Sequence, residues 1–347
     1  MPLSPADFAV TPTGPSVSMT SPTTVYFATN RVLTGVDTAI ASYSENMVNP
    51  DDATAVTYGE AFVRPTNLTA DTTGAISNIL NTNKGGFASA SISDLAKAGR
   101  NLLVFIHGFD NSFENAITRA AFNREWFAAS SLAAADTTVV AFSWPSLGKL
   151  ITWPWPTRAY FHDQTKAGQS DQALMRFFAN LQPVIDAARG DGKKVFLLSH
   201  SMGNWALQAA VENWFSRGNG DAFLFDEAIL CAADEIFTSF DLLPFGRLSA
   251  LGRLSRRISI YASEADMVLS ISRDINHIQR LGQDGPDDAS DISRFPPAKY
   301  RVVDCTRFRD YDFGIAASHQ YYRRSPAVRT DIANTMAGNA WEFVGSV

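Results

Sequence analysis

Basic runs, cysteine pairs, long apolar stretches and histidines are all scarce in this chain, and each scarcity excludes something. Lysine and arginine total 29 against 35 acidic residues, a formal net charge of −6. Phosphate backbones are held by concentrated Lys and Arg. Here the densest basic cluster, Arg253, Arg256 and Arg257, is small, so nucleic acid is not expected as a partner. The two cysteines, Cys231 and Cys305, each fall in an apolar, strand-like run. Two buried free thiols fit them better than a disulfide, in keeping with a reducing, cytoplasmic setting. No Cys/His spacing suits zinc, and Asp51-Asp52, Asp287-Asp288 and Asp304 form no metal-ligand pattern. Neither a metal nor another cofactor is expected. No apolar run approaches bilayer length, and the N-terminus lacks the basic start and apolar stretch of a secretory signal. A soluble intracellular protein is the expectation.

What is present alternates. Residues 1–22 are rich in Pro, Ser and Thr and read as a flexible arm. From 23 to 347 the chain reads as one domain without linker or repeat. Thr24–Ala28 is the first strand-like run, and 55–63 alternates as an edge strand should. Leu102-Leu103-Val104-Phe105-Ile106 is continuously apolar, the mark of a strand buried on both faces. Strands at 138–143, 194–198, 227–232, 258–262 and 301–305 then alternate with helices at 112–130, 167–189, 202–216, 266–282 and 325–338. Such alternation predicts an α/β fold with a mostly parallel central sheet and helices on both faces. Insertions near 145–166 and 235–252 follow the carboxyl ends of strands, where open α/β sheets bind ligands. The first carries Trp153 and Trp155 after Trp144; the second carries Ile236, Phe237, Phe240, Leu242, Leu243 and Phe245. Both are candidates for the roof of a pocket, and both would serve equally as extra core.

The chemistry centres on Ser199-His200-Ser201-Met202-Gly203, between the apolar run 195–198 and a helical stretch from Asn204. Strand, sharp turn and helix make a nucleophile elbow, with Ser201 at its apex and small residues two positions before and after. A serine hydroxyl needs a base within reach and an acid to orient that base, in the chain order serine, acid, histidine. Five histidines shorten the search. His107 and His162 precede the serine, His200 belongs to the turn, and His277 sits in a helix-like stretch. His319, after the last strand, remains. The acid should follow the strand at 258–262, which favours Asp266, with Glu264 beside it. Asp234, after the preceding strand, is a further alternative, or else a helix N-cap. For the oxyanion, His107-Gly108-Phe109 ends strand 102–106, so the main-chain N–H groups of Phe109 and Met202 are the candidate donors.

Phe27-Ala28-Thr29-Asn30-Arg31, Val104-Phe105-Ile106-His107-Gly108-Phe109, Ala141-Phe142-Ser143-Trp144-Pro145-Ser146 and His200-Ser201-Met202-Gly203-Asn204 occur in order. Tyr261-Ala262-Ser263 ahead of Asp266, and Ser318-His319 ahead of Tyr321, complete the set. Together they resemble a bacterial family of α/β-hydrolase proteins that long carried only a domain-of-unknown-function label. The resemblance covers most of 24–340 and implies an α/β-hydrolase fold with a serine hydrolase triad. The expected activity is cleavage of carboxylic esters (EC 3.1.1) through an acyl-enzyme on Ser201. Amide or thioester cleavage, acyl transfer and a non-catalytic binding role are the alternatives. Trp144, Trp153 and Trp155 are the candidate substrate contacts, favouring an ester with an apolar or aromatic acyl group. The sequence does not indicate an oligomeric state.

Overall fold

A computed structural model of the protein describes residues 22–64, 74–128, 136–147, 156–241, 247–307 and 318–338. Nearly all of the proposed arm, together with Trp153, Trp155 and Leu242–Phe245, falls outside these residues. In chain order come β1 (Thr23–Thr29), β2 (Arg31–Leu33), β3 (Tyr43–Met47), β4 (Thr57–Arg64), β5 (Ala75–Lys84) and α1 (Ser89–Lys97). Then follow β6 (Asn101–Ile106), α2 (Phe113–Ala128), β7 (Thr137–Ser143), α3 (Pro156–Gly168), α4 (Asp171–Gly190), β8 (Val195–His200) and α5 (Gly203–Ser216). Finally come β9 (Phe225–Cys231), β10 (Ser255–Ala262), α6 (Met267–Asn276), α7 (Leu281–Asp284), β11 (Tyr300–Asp304) and α8 (Pro326–Ala337).

Among the described residues nine strands form one sheet in the order β11-β10-β9-β8-β6-β7-β1-β4-β5, while β2 and β3 pair separately. From β11 to β1 all neighbours are parallel. Within this sheet β4 alone is reversed, pairing antiparallel with β1 on one side and with β5 on the other. The expected mostly parallel sheet with flanking helices is what forms.

Period-two alternation builds a core on each face of this sheet. In β6, Leu102, Val104 and Ile106 join the cluster that includes α4 and α5, whereas Leu103 and Phe105 join the one that includes α2 and α8. β8 divides the same way, with Val195 and Leu197 on one side and Phe196 and Leu198 on the other. These side chains are at most 1 % exposed. Each contributes about 1.5–3 kcal/mol by burial, so truncating Phe105 to alanine is expected to destabilise by about 3–5 kcal/mol.

The topology places the site. β6 connects through α2 to β7 on one side, and the chain then crosses back over β6 to β8. Strand order reverses there, which opens a crevice beyond the carboxyl ends of β6 and β8.

Several boundaries differ from expectation. The alternating strand near 55–63 is not an edge: β4 is sandwiched between β1 and β5. β5, with its polar Asn78, Asn81, Thr82 and Asn83, takes the edge instead. The first insertion is not wholly loop, because its second half is α3. The helix expected over 266–282 breaks at His277, which adopts left-handed backbone (φ 54°) after α6. Among the described residues no helix starts at Asp234; the capping aspartate is Asp266, whose carboxylate accepts from the Leu269 N–H at the start of α6. Among the described residues no helix is long and apolar enough to cross a membrane.

Candidate active site

β8 ends at His200, α5 begins at Gly203, and between them Ser201 holds φ at 53°. A left-handed serine is strained and marks an imposed turn. Hydrogen bonds to its main chain hold it there: Ser201 N–H donates to the Cys231 carbonyl (3.0 Å), and the Ser201 carbonyl accepts from Asp234 N–H (3.1 Å), Asn204 N–H (3.0 Å) and Asn204 Nδ2 (3.0 Å). Close packing demands glycine two residues on. A Cβ at Gly203 would lie 2.6 Å from the His107 carbonyl oxygen and 2.8 Å from that of Ile106. Gly108 has the same constraint from the other side, since a Cβ there would meet Ser201 Cβ at 2.7 Å. The elbow and the end of β6 therefore touch.

His319 and Asp266 meet as a buried pair, with Nδ1 2.7 Å from Oδ2. The other carboxylate oxygen, Oδ1, accepts the Leu269 N–H at 3.0 Å. One aspartate thus caps a helix and orients an imidazole. His200 ties this pair to the elbow. Its Nε2 lies 3.1 Å from the His319 carbonyl oxygen, and its ring packs 4.8 Å from the His319 ring. A carbonyl only accepts, so the His200 proton sits on Nε2. Burial drives the His200 pKa well below its ordinary value, and the neighbouring His319 adds to this. His200 is accordingly neutral. The Ser201 hydroxyl and His319 Nε2 make no hydrogen bond among the described residues, including to each other. Such contacts are often long in apo sites and tighten around substrate.

Neither alternative acid contacts the imidazole. Glu264 is exposed. Asp234 is buried but engaged elsewhere: it pairs with Arg280 (3.1 Å), and it accepts from Tyr160 Oη (2.8 Å) and Ser272 Oγ (2.5 Å).

The loop after β6 is held by its carbonyls. Asn111 Nδ2 donates to the Gly108 and Phe109 carbonyls at 2.9 and 2.8 Å. His107 Nδ1 also lies 2.8 Å from the Gly108 carbonyl. In a trans peptide the C=O and N–H point in opposite directions. With the Gly108 carbonyl turned to Asn111, the N–H of Phe109 faces the other way. Neither it nor the Met202 N–H makes a hydrogen bond among the described residues. Met202 lies at the start of α5, where helical N–H groups lack internal partners. Two free donors therefore flank the elbow.

Trp144 is a correction. It is fully buried, stacked on His107 with centroids 4.9 Å apart, and its Nε1 donates to the His107 carbonyl at 2.7 Å. It supports the loop from behind and presents no surface to a pocket. Trp153 and Trp155 lie outside the described residues. The aromatic that does reach the loop is Tyr160 of α3, 6.3 Å from the Phe109 ring.

Other residues of this region escape sequence reasoning. Arg31 is fully buried and gives its guanidinium to the carbonyls of Asn111 (2.7 Å), Trp144 (2.7 Å), Ser146 (3.2 Å) and Ser44 (3.2 Å) and to Ser143 Oγ (3.2 Å). Burial lowers its pKa to about 9, opposed by Asp163. Burial, with Arg31 adding to it, also lowers His107 to about 3, which keeps that ring neutral. Arg31 belongs to a segment that carries the resemblance; nothing in the linear pattern shows that its guanidinium crosses to the loops after β6 and β7.

A model of the family described as "Alpha/beta hydrolase of unknown function (DUF900)" matches residues 87–337. No curated protein matches the chain. The matched span runs from just before α1 to the end of α8 and includes the elbow, His319, Asp266 and the loop after β6.

Proposed function

The chain belongs to this family of α/β hydrolases, and on that premise we propose that it is a serine hydrolase that cleaves carboxylic esters through an acyl-enzyme on Ser201. The observation that carries the reading is the conjunction at one rim of the sheet. A left-handed Ser201 heads α5, and its neighbour His200 contacts the main chain of an Asp266-paired His319.

In this mechanism Ser201 Oγ attacks the ester carbonyl carbon while His319 Nε2 takes the hydroxyl proton. Asp266 accepts from Nδ1–H, which fixes the tautomer and stabilises the imidazolium that forms. The Leu269 N–H on the other oxygen of Asp266 keeps that carboxylate oriented. The carbonyl π electrons move to oxygen, where the N–H groups of Phe109 and Met202 receive the negative charge. Collapse of the tetrahedral species expels the alcohol, which takes the proton from His319. Water, deprotonated by the same imidazole, attacks the acyl-enzyme; the second tetrahedral species expels Ser201 Oγ, which takes the proton back from His319, and the acid is released. His200, neutral and bonded to the His319 carbonyl, holds the base's backbone without placing a second positive charge beside it.

The aromatic contact between Phe109 and Tyr160 supports an apolar acyl group beside the oxyanion donors. A small-molecule ester is therefore the proposed substrate class.

The test is direct. Wild-type protein is expected to hydrolyse a short p-nitrophenyl ester and to be labelled by a fluorophosphonate probe. Ser201→Ala is expected to lose both while keeping its circular dichroism spectrum. Unchanged turnover in that variant removes Ser201 from the mechanism.

A further inference from the structure

Resting on the serine-hydrolase reading, we propose that Asp163 of the insertion helix α3 is a positioning residue for the oxyanion loop. It would determine where the Phe109 N–H stands when negative charge develops on the substrate.

Asp163 is wholly buried, although its neighbours His162 and Gln164 are at least partly exposed. Its carboxylate gathers donors from the loop after β7 and reaches the loop after β6 through one of them. It receives the Ser146 hydroxyl and the Leu147 N–H (3.1 and 3.3 Å to its two oxygens). Its own neighbour His162 lies 3.4 Å away.

The peptide after Phe109 needs support. Asp110 immediately follows Phe109 and holds left-handed backbone, φ 59°. A non-glycine residue persists there only when its surroundings impose it. The Phe109 carbonyl on this peptide is bound by Asn111 Nδ2 at 2.8 Å.

Asp163 reaches Asn111 indirectly. Ser146 Oγ, which donates to Asp163, accepts the Asn111 N–H at 3.1 Å. The Asn111 carbonyl is bound by Arg31 at 2.7 Å. Asn111 then holds the Gly108 carbonyl, and so the direction of the opposed Phe109 N–H. Every link from α3 to the proposed oxyanion donor is a hydrogen bond between buried or half-buried groups.

An apolar helix could cover the same loop equally well. A buried carboxylate facing a hydroxyl and a main-chain N–H does more, since its acceptor geometry fixes the direction of each donor it receives. Oxyanion donors lose much of their effect when displaced by a fraction of an ångström, because they must meet the charge as it forms.

The experiment compares wild type with Asp163→Asn, Asp163→Ala and Ser146→Ala. Readouts are kcat and KM for the short p-nitrophenyl ester, the melting temperature, and inhibition by a trifluoromethyl ketone. The hemiketal oxyanion of that inhibitor occupies the place of the transition-state oxygen. Asp163→Ala is expected to lower kcat on the order of 10²-fold with KM within about threefold. Asp163→Asn, which keeps one acceptor oxygen, is expected to fall about tenfold. Ketone affinity should drop by the same factor as kcat/KM in each variant, which loss of fold stability alone would not produce. If Asp163→Ala fails to fold, the Asn and Ser146→Ala variants decide. The proposal is overturned if folded variants keep ketone affinity within about twofold of wild type. It is also overturned if their loss of activity merely tracks the melting temperature. Failure of the underlying reading looks different: wild type itself would then resist the fluorophosphonate probe, or Ser201→Ala would keep its turnover.

Discussion

Asp266 and Asp234 stand just past the ends of the neighbouring strands β10 and β9, and both are almost wholly buried, yet they face opposite kinds of partner. Asp266 meets an imidazole and a helix N–H. Asp234 meets the guanidinium of Arg280, the phenol of Tyr160 and the hydroxyl of Ser272. A carboxylate against an always-charged guanidinium is a fixed structural charge. Facing an imidazole, it is available to a proton cycle. The partner, not burial or strand position, separates the roles.

The sharpest way to break this comparison is to neutralise each acid in turn. Asp266→Asn is expected to lower kcat about 10⁴-fold, by favouring the wrong imidazole tautomer and removing the charge that stabilises imidazolium. Initial rates on the short p-nitrophenyl ester measure it. The fold should survive, because the asparagine oxygen still caps α6. A loss below tenfold would move the acid elsewhere.

Asp234→Asn is expected to act on stability. It leaves Arg280, 1 % exposed, without its countercharge, and breaking a buried pair from one side typically destabilises by about 3–5 kcal/mol. Denaturant unfolding gives the value. The expected change in kcat is less than tenfold, so the two variants should separate on perpendicular axes. If Asp234→Asn instead lost 10³-fold in kcat at full stability, the assignment would reverse.

The linear chain favours Asp266 as the acid but leaves Asp234 open, for a physical reason. Both aspartates follow apolar strands. The residue that claims Asp234, Arg280, arrives 46 positions later through a bend at His277 that the helical pattern did not announce. Features fixed by short-range rules were legible: the apolar runs of β6 and β8, the small residues around Ser201, and the helix after it. β5 was missed because most of its exposed positions carry serine, asparagine and lysine, and it holds only two buried residues, Ile76 and Ile79, three apart and not in alternation. Trp144 was misjudged because a tryptophan after a strand looks the same whether it turns toward solvent or onto His107. Arg31 and Asp163 carried no local signal, since charged residues in sequence default to a solvated surface.

The histidines extend the comparison to pH. His107 is held to about 3 by burial with Arg31 adding to it, and burial likewise drives His200 well down, with His319 contributing. For both, the unfolded state binds the proton more tightly than the native one. Their contribution to stability is complete above the ordinary imidazole value near 6.5 and is lost as pH falls below it, at up to about 1.4 kcal/mol per pH unit for each ring. Glu235, raised to about 7 by burial, works the other way: its native state holds the proton more tightly, so its contribution falls as pH rises from about 4.5 to 7. Glu227, also raised to about 7, and Asp110, raised to about 6, both by burial, oppose the histidines in the same way, so urea midpoints between pH 5 and 7 should vary little with pH. Replacing Glu235 with Gln should steepen the acid loss, whereas an unchanged slope would mean that Glu235 does not titrate in this range.

The smallest expected effect tests whether the Asp234 cluster is anchored through α3. Tyr160→Phe keeps the ring that packs near Phe109 and removes only the hydroxyl. That hydroxyl donates to Asp234 at 2.8 Å and accepts from Arg280 at 2.9 Å and Asn276 at 3.1 Å. The ion pair beneath survives, so the loss should be about 1–2 kcal/mol, the penalty for buried donors left one partner short. Activity should stay within about twofold of wild type, because Asp163, one helical turn further along α3, still holds the Ser146 hydroxyl and the Leu147 N–H. A Tyr160→Phe variant with intact stability and a large fall in kcat would instead make the Tyr160 hydroxyl part of the chemistry. That result would erase the line drawn here between the aspartate that serves the fold and the one that serves the imidazole.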